Sequence, residues 1–138
     1  MRYLGLDLGS RTLGVAVSDK TGFIASSLKI IRHNEEYDRL INDVKDLVKE
    51  LEIDGIVLGF PKNMDGSIGF KGELSLDFKK KLESELNIPI YLQDERLSTK
   101  SATDILIQGN MSRKKRKGVI DAVAATIILQ SYLDRRDK

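Results

Sequence analysis

Three acidic residues stand where carboxylates could act together in catalysis, namely Asp7, Glu95 and Asp121. Asp7 and Glu95 lie at the ends of short apolar runs, and Asp121 lies near the beginning of the last apolar segment. A carboxylate among apolar neighbours is costly to bury without a partner, so these positions need an explanation. Carboxylate oxygens are the ligands that hard divalent cations prefer. A metal site built from these three residues is therefore our first hypothesis.

The rest of the composition narrows the metal and the chemistry. The chain has no cysteine and one histidine, His33, so an oxygen-bound magnesium or manganese ion is expected rather than zinc. Two such ions about 4 Å apart can activate a water molecule and stabilise the leaving oxygen of a phosphodiester. This hydrolysis needs no side-chain nucleophile. His33, in the connection before the first helical segment, is expected to lie on the surface and not to bind metal.

Asp7 and Asp121 also have structural explanations. Asp7 precedes a glycine turn, where an aspartate often accepts hydrogen bonds from turn amides such as those of Gly9 and Ser10. Asp121 could favour the dipole of the last helix by lying in its first turn. The functional interpretation rests on convergence, because three acidic positions from distant segments fall at one end of the predicted sheet.

The adjacent residues Asp94 and Glu95 present a choice. Both follow the apolar run at 90–92, and side chains alternate between the two faces of a strand, so one of them is expected to face the cleft. We expect Glu95 in this role and keep Asp94 as the alternative. A helix cap or an ion pair with Arg96 would explain either carboxylate without catalysis.

The elements that must position these residues follow from apolar spacing and turn signals. Short apolar runs between turns predict strands over 3–8, 14–18, 24–31, 55–59 and 90–93. Apolar residues three and four apart predict helices over 37–51, 74–86, about 98–108 and about 119–135. A loop over 60–72 is expected between the fourth strand and the second of these helices.

The order of these elements predicts the fold. Short turns make the first three strands an antiparallel meander, and helical crossovers make the fourth and fifth strands parallel to the first. The predicted fold is α/β and ribonuclease H-like, with a five-stranded mixed sheet flanked by helices. No repeat or linker divides residues 1–138, so we expect one domain. Ligands of such sheets bind beyond the carboxyl ends of the parallel strands, where Asp7 and Glu95 are expected.

Basic charge is concentrated in the last third of the chain. Residues 1–95 carry 13 Lys and Arg against 17 Asp and Glu, whereas residues 96–138 carry 10 against 4. The densest run covers 113–117 and could bind phosphates or form a solvated loop. The loop over 59–67 could also grip a phosphate backbone, although a generic turn would look similar. With 6% aromatic residues and no tryptophan, base stacking is expected to contribute little.

The N-terminal sequence and the cysteine count favour a cytoplasmic protein. The first residues run directly into a strand-like segment, without the basic flank and long apolar stretch of an export or membrane signal. A chain without cysteine suits a reducing compartment. We therefore expect no membrane partner.

Four motifs in this order resemble those of the YqgF family, also called RuvX, of ribonuclease H-like proteins described as Holliday junction resolvases and pre-16S ribosomal RNA nucleases. They are DLGSRT at 7–12 with GVAVSD at 14–19, GFP at 59–61 with DGS at 65–67, DERLST at 94–99, and Lys117 with DAVAA at 121–125. The resemblance covers nearly the whole chain. It implies that Asp7, Glu95 and Asp121 form the metal-binding acidic set.

The resemblance also implies how the substrate is held. It suggests contacts at Arg11, Lys62, Arg96 and Lys117. It favours the run at 113–117, including Lys115, as a strand-binding loop that leads into the catalytic helix, which would make binding salt-dependent. The expected function is that of a metal-dependent endonuclease acting on structured nucleic acid, foremost in the 5′ maturation of pre-16S rRNA.

Three other functions remain open. A Holliday junction resolvase would need two active sites and hence a dimer, and no dimer interface is evident in the pattern, so we expect a monomer or a weak homodimer. The motif at 7–10 also resembles the first phosphate loop of actin-like ATPases and sugar kinases, but the chain has the length of one such domain and no second copy of the motif. A non-catalytic RNA-binding assembly factor would leave the acidic set structural.

Overall fold

The computed structural model describes residues 1–62, 65–94 and 113–136, with side chains in the last range described from Val123 onward. The strands are β1 (Tyr3–Leu8), β2 (Thr12–Ser18), β3 (Ala25–Arg32), β4 (Gly55–Phe60) and β5 (Ile90–Asp94). The helices in these ranges are α1 (Tyr37–Glu50), α2 (Phe70–Glu85) and α3 (Arg113–Arg136). None of these three helices combines the length and the apolar character needed to cross a membrane.

The five strands form one mixed sheet in the order β3-β2-β1-β4-β5. Strand β1 pairs antiparallel with β2, and β2 pairs antiparallel with β3. On the other side, β1 pairs parallel with β4, and β4 pairs parallel with β5. The expected antiparallel meander and parallel pair are confirmed, with β1 in the centre.

Helices α1 and α2 cover one face of the sheet. Apolar residues recur three and four apart in α1, so that Leu40, Val44 and Leu47 are buried along one side. They form a single apolar cluster with Leu6 of β1 and Phe78 of α2. This cluster is the larger part of the core, with 15 buried residues against 8 in the cluster on the other face among the described residues. Burying one side chain of this kind contributes about 1.5–3 kcal/mol.

Helix α3 covers the other face, and a glycine lets it come close. A Cβ at Gly5 of β1 would stand 2.7 Å from the Cβ of Leu129 and 3.2 Å from the carbonyl oxygen of Ala125. Two residues earlier, the ring of Tyr3 meets the ring of Tyr132 edge-on, with 5.8 Å between centroids. Helix α3 therefore runs antiparallel to β1, with its lower-numbered residues toward the carboxyl end of the strand.

Polar contacts fasten the end of α3 to the turn between β2 and β3. Arg136 donates to the hydroxyl of Tyr3 at 3.1 Å and to the carbonyl oxygen of Gly22 at 2.9 Å. The side-chain oxygen of Gln130 accepts a hydrogen bond from the amide of Ala25 at 2.8 Å. These contacts fix the position of α3 along the sheet as well as its distance from it.

The beginning of α3 corrects one expectation from the sequence. The helix begins at Arg113 and not near Val119, so the basic run at 113–117 is helical and is not a loop. Lysine and arginine are good helix formers, and the run contains neither glycine nor proline, which explains the longer helix. The helix expected over about 98–108 lies outside the described residues.

Helix α2 also begins earlier than expected, at Phe70, so part of the loop expected over 60–72 is helical. Gly72 explains why the helix can start so close to the end of β4. A Cβ at this position would stand 2.9 Å from the carbonyl oxygen of Pro61. The glycine at the end of the expected loop is in fact a point of close helix packing.

Candidate functional site

The register of the sheet places Asp7 in a row with three other residues. Asp7 pairs with Gly14 of β2. Strands β1 and β4 are in register up to Leu6, which makes Gly59 the residue level with Asp7, and Gly59 pairs with Gln93 of β5. We call this set the Asp7 row, which in strand order comprises Gly14, Asp7, Gly59 and Gln93.

The Asp7 row lies on the α3 face of the sheet, near the carboxyl ends of the parallel strands. Side chains alternate along a strand, so Asp7 shares a face with Gly5, two residues earlier, over which α3 packs. Tyr91 packs in the apolar cluster on the α3 face, and Gln93 follows it by two residues. Asp7 is partly buried at this edge.

Glycines leave room on both sides of the Asp7 carboxylate. The neighbours of Asp7 on β2 and β4 are Gly14 and Gly59, which place no side chain on this face. Asp7 and Gln93 are two strands apart, so their Cα atoms are separated by about 10 Å. A magnesium ion usually keeps several of its waters when it binds to protein, and neither Gly14 nor Gly59 has a side chain that would compete with those waters.

Gln93 supplies a second oxygen atom to the row. Its Oε1 is buried and has no hydrogen-bond donor among the described residues. Among the described residues, its Nε2 makes one long contact, 3.5 Å, to the carbonyl oxygen of Asp94. A buried oxygen without a donor costs about 1–3 kcal/mol, and a water of a hydrated cation would supply the missing donor. The residues present therefore fit a hydrated divalent ion beside Asp7.

Asp94 lies on the opposite face of the sheet from the Asp7 row. Leu92 packs with the apolar cluster under α1 and α2, and Asp94 follows it by two residues in the same strand. Asp94, the alternative to Glu95, therefore does not share a face with Asp7. Glu95 itself lies outside the described residues.

The described side chains hold only one member of the expected acidic set, Asp7. Asp121 lies in α3, one helical turn before Ala125, but its side chain is outside the description. Within the described part of the chain, no group of three acidic or histidine side chains could hold a metal ion. Whether the three carboxylates meet stays a prediction.

His33 corrects another expectation, because it is buried and not on the surface. Its Nε2 lies 3.0 Å from the carbonyl oxygen of Gly9, and its Nδ1 accepts a hydrogen bond from the amide of Glu35 at 3.0 Å. This pattern requires the neutral ring with its proton on Nε2. His33 thus braces the turn that follows Asp7, and both ring nitrogens are used in doing so.

The same turn carries Arg11, one of the expected substrate contacts. The amide of Gly9 donates to the carbonyl oxygen of Thr12 at 2.8 Å, so the turn is closed by its own backbone. The guanidinium of Arg11 donates to the side-chain oxygen of Asn34 at 2.9 Å. Arg11 is exposed at the carboxyl end of β1, where a phosphate could reach it.

Lys62 is the other expected substrate contact with a described side chain. It follows β4 by two residues, and its Nζ lies 5.6 Å from the centroid of the Phe60 ring. Arg96 lies outside the described residues. Lys115 and Lys117 lie in the first turns of α3, and their side chains are not described.

Sequence reasoning missed the buried oxygen of Gln93 and the buried position of His33. Gln93 could have been found by counting back two residues from Glu95, since both positions share a face if the strand continues. His33 gave no such signal, because its ring nitrogens bind backbone groups, which have no sequence signature.

Comparison with known proteins identifies relatives of this chain. The profile of the RuvX family, described as Holliday junction resolvase, matches residues 1–135. A "Putative pre-16S rRNA nuclease" of Geobacillus sp. (strain WCH70) is 52% identical over 99% of each chain. The protein of the same name in Bacillus subtilis (strain 168) is 53% identical over 97% of this chain and 98% of that one.

A solved structure supports the fold. T. thermophilus RuvC in complex with a Holliday junction substrate matches with a TM-score of 0.62 and 16% identity, covering 99% of this chain and 96% of that chain. The expected ribonuclease H-like fold is confirmed, and the names of the relatives confirm the expected enzyme class, a nuclease. With relatives more than half identical along nearly its whole length and the profile matching residues 1–135, the chain belongs to the RuvX family.

Proposed function

We propose that this chain is a metal-dependent endonuclease that cuts structured RNA in the 5′ maturation of pre-16S rRNA. The Asp7 row carries the proposal, because it sets a carboxylate between two glycines and in line with the buried oxygen of Gln93. This arrangement offers oxygen ligands and space at the edge where open α/β sheets bind ligands. The substrate is proposed from the names of the relatives.

Asp121 is proposed as the second carboxylate because of the direction of α3. Ala125 lies over Gly5 of β1. From Gly5 to Asp7 the strand advances about 6.6 Å, and from Ala125 back to Asp121 the helix advances about 6 Å. Both steps lead toward the same edge of the sheet. This agreement supports a pairing of Asp7 with Asp121.

Glu95 is proposed as the third carboxylate because of strand alternation. Gln93 lies on the α3 face and Asp94 on the other face. If this alternation continues, the next residue, Glu95, lies on the α3 face again. This supports Glu95, rather than Asp94, as a metal ligand.

The proposed chemistry divides between the cation and the chain. A bound magnesium or manganese ion would supply a water nucleophile of lowered pKa and positive charge beside the leaving oxygen. The carboxylates of Asp7, Glu95 and Asp121 would hold the cation, and Oε1 of Gln93 would accept a hydrogen bond that orients its water shell. Arg11 and Lys62 would neutralise the neighbouring phosphates and position the strand.

Junction resolution is the second candidate, and one observation favours it. The matching family profile is described as Holliday junction resolvase. A symmetric cut of a junction needs two active sites and hence a stable dimer. We propose that the chain is a monomer or a weak homodimer in the cytoplasm. This oligomeric state favours RNA as the substrate.

The test offers both substrates to the same protein. Wild type and Asp7→Asn are incubated with magnesium or manganese and with an end-labelled 16S precursor RNA or a four-way DNA junction, and the cuts are mapped on a gel. We expect wild type to cut the RNA at defined positions and Asp7→Asn to cut neither substrate. Cleavage of the junction alone would establish the resolvase instead. Tight RNA binding without cleavage would indicate an assembly factor.

A further inference from the structure

An exposed aromatic ring lies beside two lysines at the edge that carries the Asp7 row. Phe70, the first residue of α2, is 80% exposed, more than any other large apolar residue in the described part of the chain. Together with its neighbours it lines a surface groove of about 420 Å³. We call this the Phe70 groove, and its lining residues are Pro61, Lys62, Gly69, Phe70, Lys71 and Gly72.

The Phe70 groove begins two residues after Gly59, which is a member of the Asp7 row. Pro61 directly follows β4, and Gly59, two residues earlier, stands beside Asp7 in the sheet. A strand of nucleic acid with its phosphate at Asp7 would therefore reach this groove with a nearby nucleotide. The groove and the row lie at the same edge of one sheet.

The wall of the groove is held in place by close packing. A Cβ at Gly72 would stand 2.8 Å from Cγ2 of Ile68 and 2.9 Å from the carbonyl oxygen of Pro61. The first turn of α2 therefore rests directly on the segment after β4. This contact fixes Phe70 relative to Pro61, so the ring is presented by a rigid support.

The charge of the groove favours a polyanion over a peptide. Two of the six lining residues in the described part of the chain are lysines, and none of these six carries a carboxylate. The Nζ of Lys62 lies 5.6 Å from the centroid of the Phe60 ring, a cation–π contact that holds the ammonium at the groove. An exposed ring flanked by cations matches a nucleotide, which offers a flat base and an anionic phosphate together.

We propose that the Phe70 groove binds an unpaired nucleotide next to the scissile phosphate, with its base stacked on Phe70 and its phosphates near Lys62 and Lys71. The proposal rests on the proposed nuclease function and adds that the substrate is single-stranded beside the cut. A paired base could not stack in this way, because its faces are covered by its neighbours in the duplex. The low aromatic content of the chain therefore does not exclude base stacking at this one position.

The test measures binding in the Asp7→Asn background, so that no RNA is cut. A short fluorescent RNA is titrated by anisotropy, once as a single strand and once annealed to its complement, with magnesium present. Phe70→Ala should weaken binding of the single strand about tenfold, the size of one lost base–aromatic stack, and leave the duplex unaffected. Phe70→Tyr should keep the affinity of Phe70, because it keeps a ring.

A second exposed phenylalanine provides the matched control. Phe23 is 58% exposed in the turn between β2 and β3, near the opposite edge of the sheet, and Phe23→Ala should bind both RNAs as its parent does. An unchanged affinity in Phe70→Ala, or an equal loss in Phe23→Ala, would overturn the proposal and leave the groove to a protein partner. Such a result would not touch the nuclease function, which the cleavage of precursor RNA by wild type decides separately.

Discussion

Gly5 of β1 and Leu129 of α3 approach so closely that a Cβ at Gly5 would stand 2.7 Å from the Cβ of Leu129. No side chain fits between strand and helix at this point, so α3 lies directly on the central strand. The contact also fixes how far α3 extends along β1. The proposed metal site depends on the level of Asp121 relative to Asp7. This packing contact sets that level together with the polar contacts of Gln130 and Arg136.

Gly5→Val should therefore damage the site as well as the core. Overpacking of a close contact costs about 1–3 kcal/mol, and the helix that carries Asp121 would have to move away from Asp7. We expect urea denaturation to show this loss of stability and cleavage to fall further than the unfolded fraction explains. Ser27→Val, on the exposed part of β3, is the control and should change neither. Full activity in folded Gly5→Val would contradict the proposed role of α3.

Gln93→Leu should leave the stability of the metal-free protein unchanged or higher and reduce the stability gained from magnesium. Without metal, the substitution removes a buried oxygen that has no donor among the described residues, so the melting temperature should stay the same or rise. With magnesium, the variant should gain less stability than wild type because the cation loses a contact to its water shell. Thermal melts across a magnesium titration measure both effects.

Gln130 offers the control for this prediction. Its side chain accepts from the amide of Ala25 at 2.8 Å and donates to the carbonyl oxygen of Phe23 at 2.9 Å, far from the Asp7 row. Gln130→Leu should lower the melting temperature equally at every magnesium concentration. An equal gain from magnesium in Gln93→Leu and wild type would remove Gln93 from the proposed site.

His33→Ala should loosen the turn that follows Asp7. The ring holds the carbonyl oxygen of Gly9 and the amide of Glu35, and the variant leaves both without these partners. We expect a loss of about 1–3 kcal/mol in urea denaturation, together with a lower cleavage rate. A variant as stable as wild type would show that the turn does not depend on His33.

The turn between β2 and β3 should make stability depend on pH. The Ile24 amide, the Thr21 hydroxyl and the Phe23 amide all donate to the Asp19 carboxylate and hold its pKa well below the ordinary value of 3.8. A carboxyl whose pKa is lower in the folded state stabilises the fold fully above its unfolded pKa of about 4 and loses this effect as the pH falls through the folded pKa.

Asp19→Asn tests this dependence. The free energy of unfolding of wild type should exceed that of the variant at neutral pH, and the difference should shrink only as the pH falls below about 4. Urea denaturation at a series of pH values measures it. A difference that stays constant down to the acid limit would mean that the Asp19 charge does not contribute.

Much of the fold could be predicted because apolar spacing and turns determine it locally. The run at 3–8, the short turns and the helical periodicity of 37–51 gave the meander, the parallel pair and the first helix within a few residues. The position of Asp7 at the carboxyl end of the central strand followed from the same pattern. These features depend on residues close together in the sequence.

The remaining features depend on contacts between distant segments. Gly72 is the last residue of the expected loop, and only its packing against Pro61 shows why α2 begins before it. His33 was expected on the surface because nothing in the sequence reveals a ring bound to backbone groups of another turn. The basic run at 113–117 is a different case, because its charge suggested a loop while the local helix propensity of its residues already favoured a helix.

The most direct test of the account compares two neighbouring carboxylates. Metal-dependent cleavage of the 16S precursor is measured for Glu95→Gln, which removes the proposed ligand, and for Asp94→Asn, which changes the residue on the opposite face, with Asp7→Asn as the reference. We predict that Glu95→Gln lowers the cleavage rate at least about a hundredfold, as Asp7→Asn does, while Asp94→Asn cuts nearly as fast as wild type. Loss of cleavage in Asp94→Asn with Glu95→Gln still active would contradict the proposed metal site.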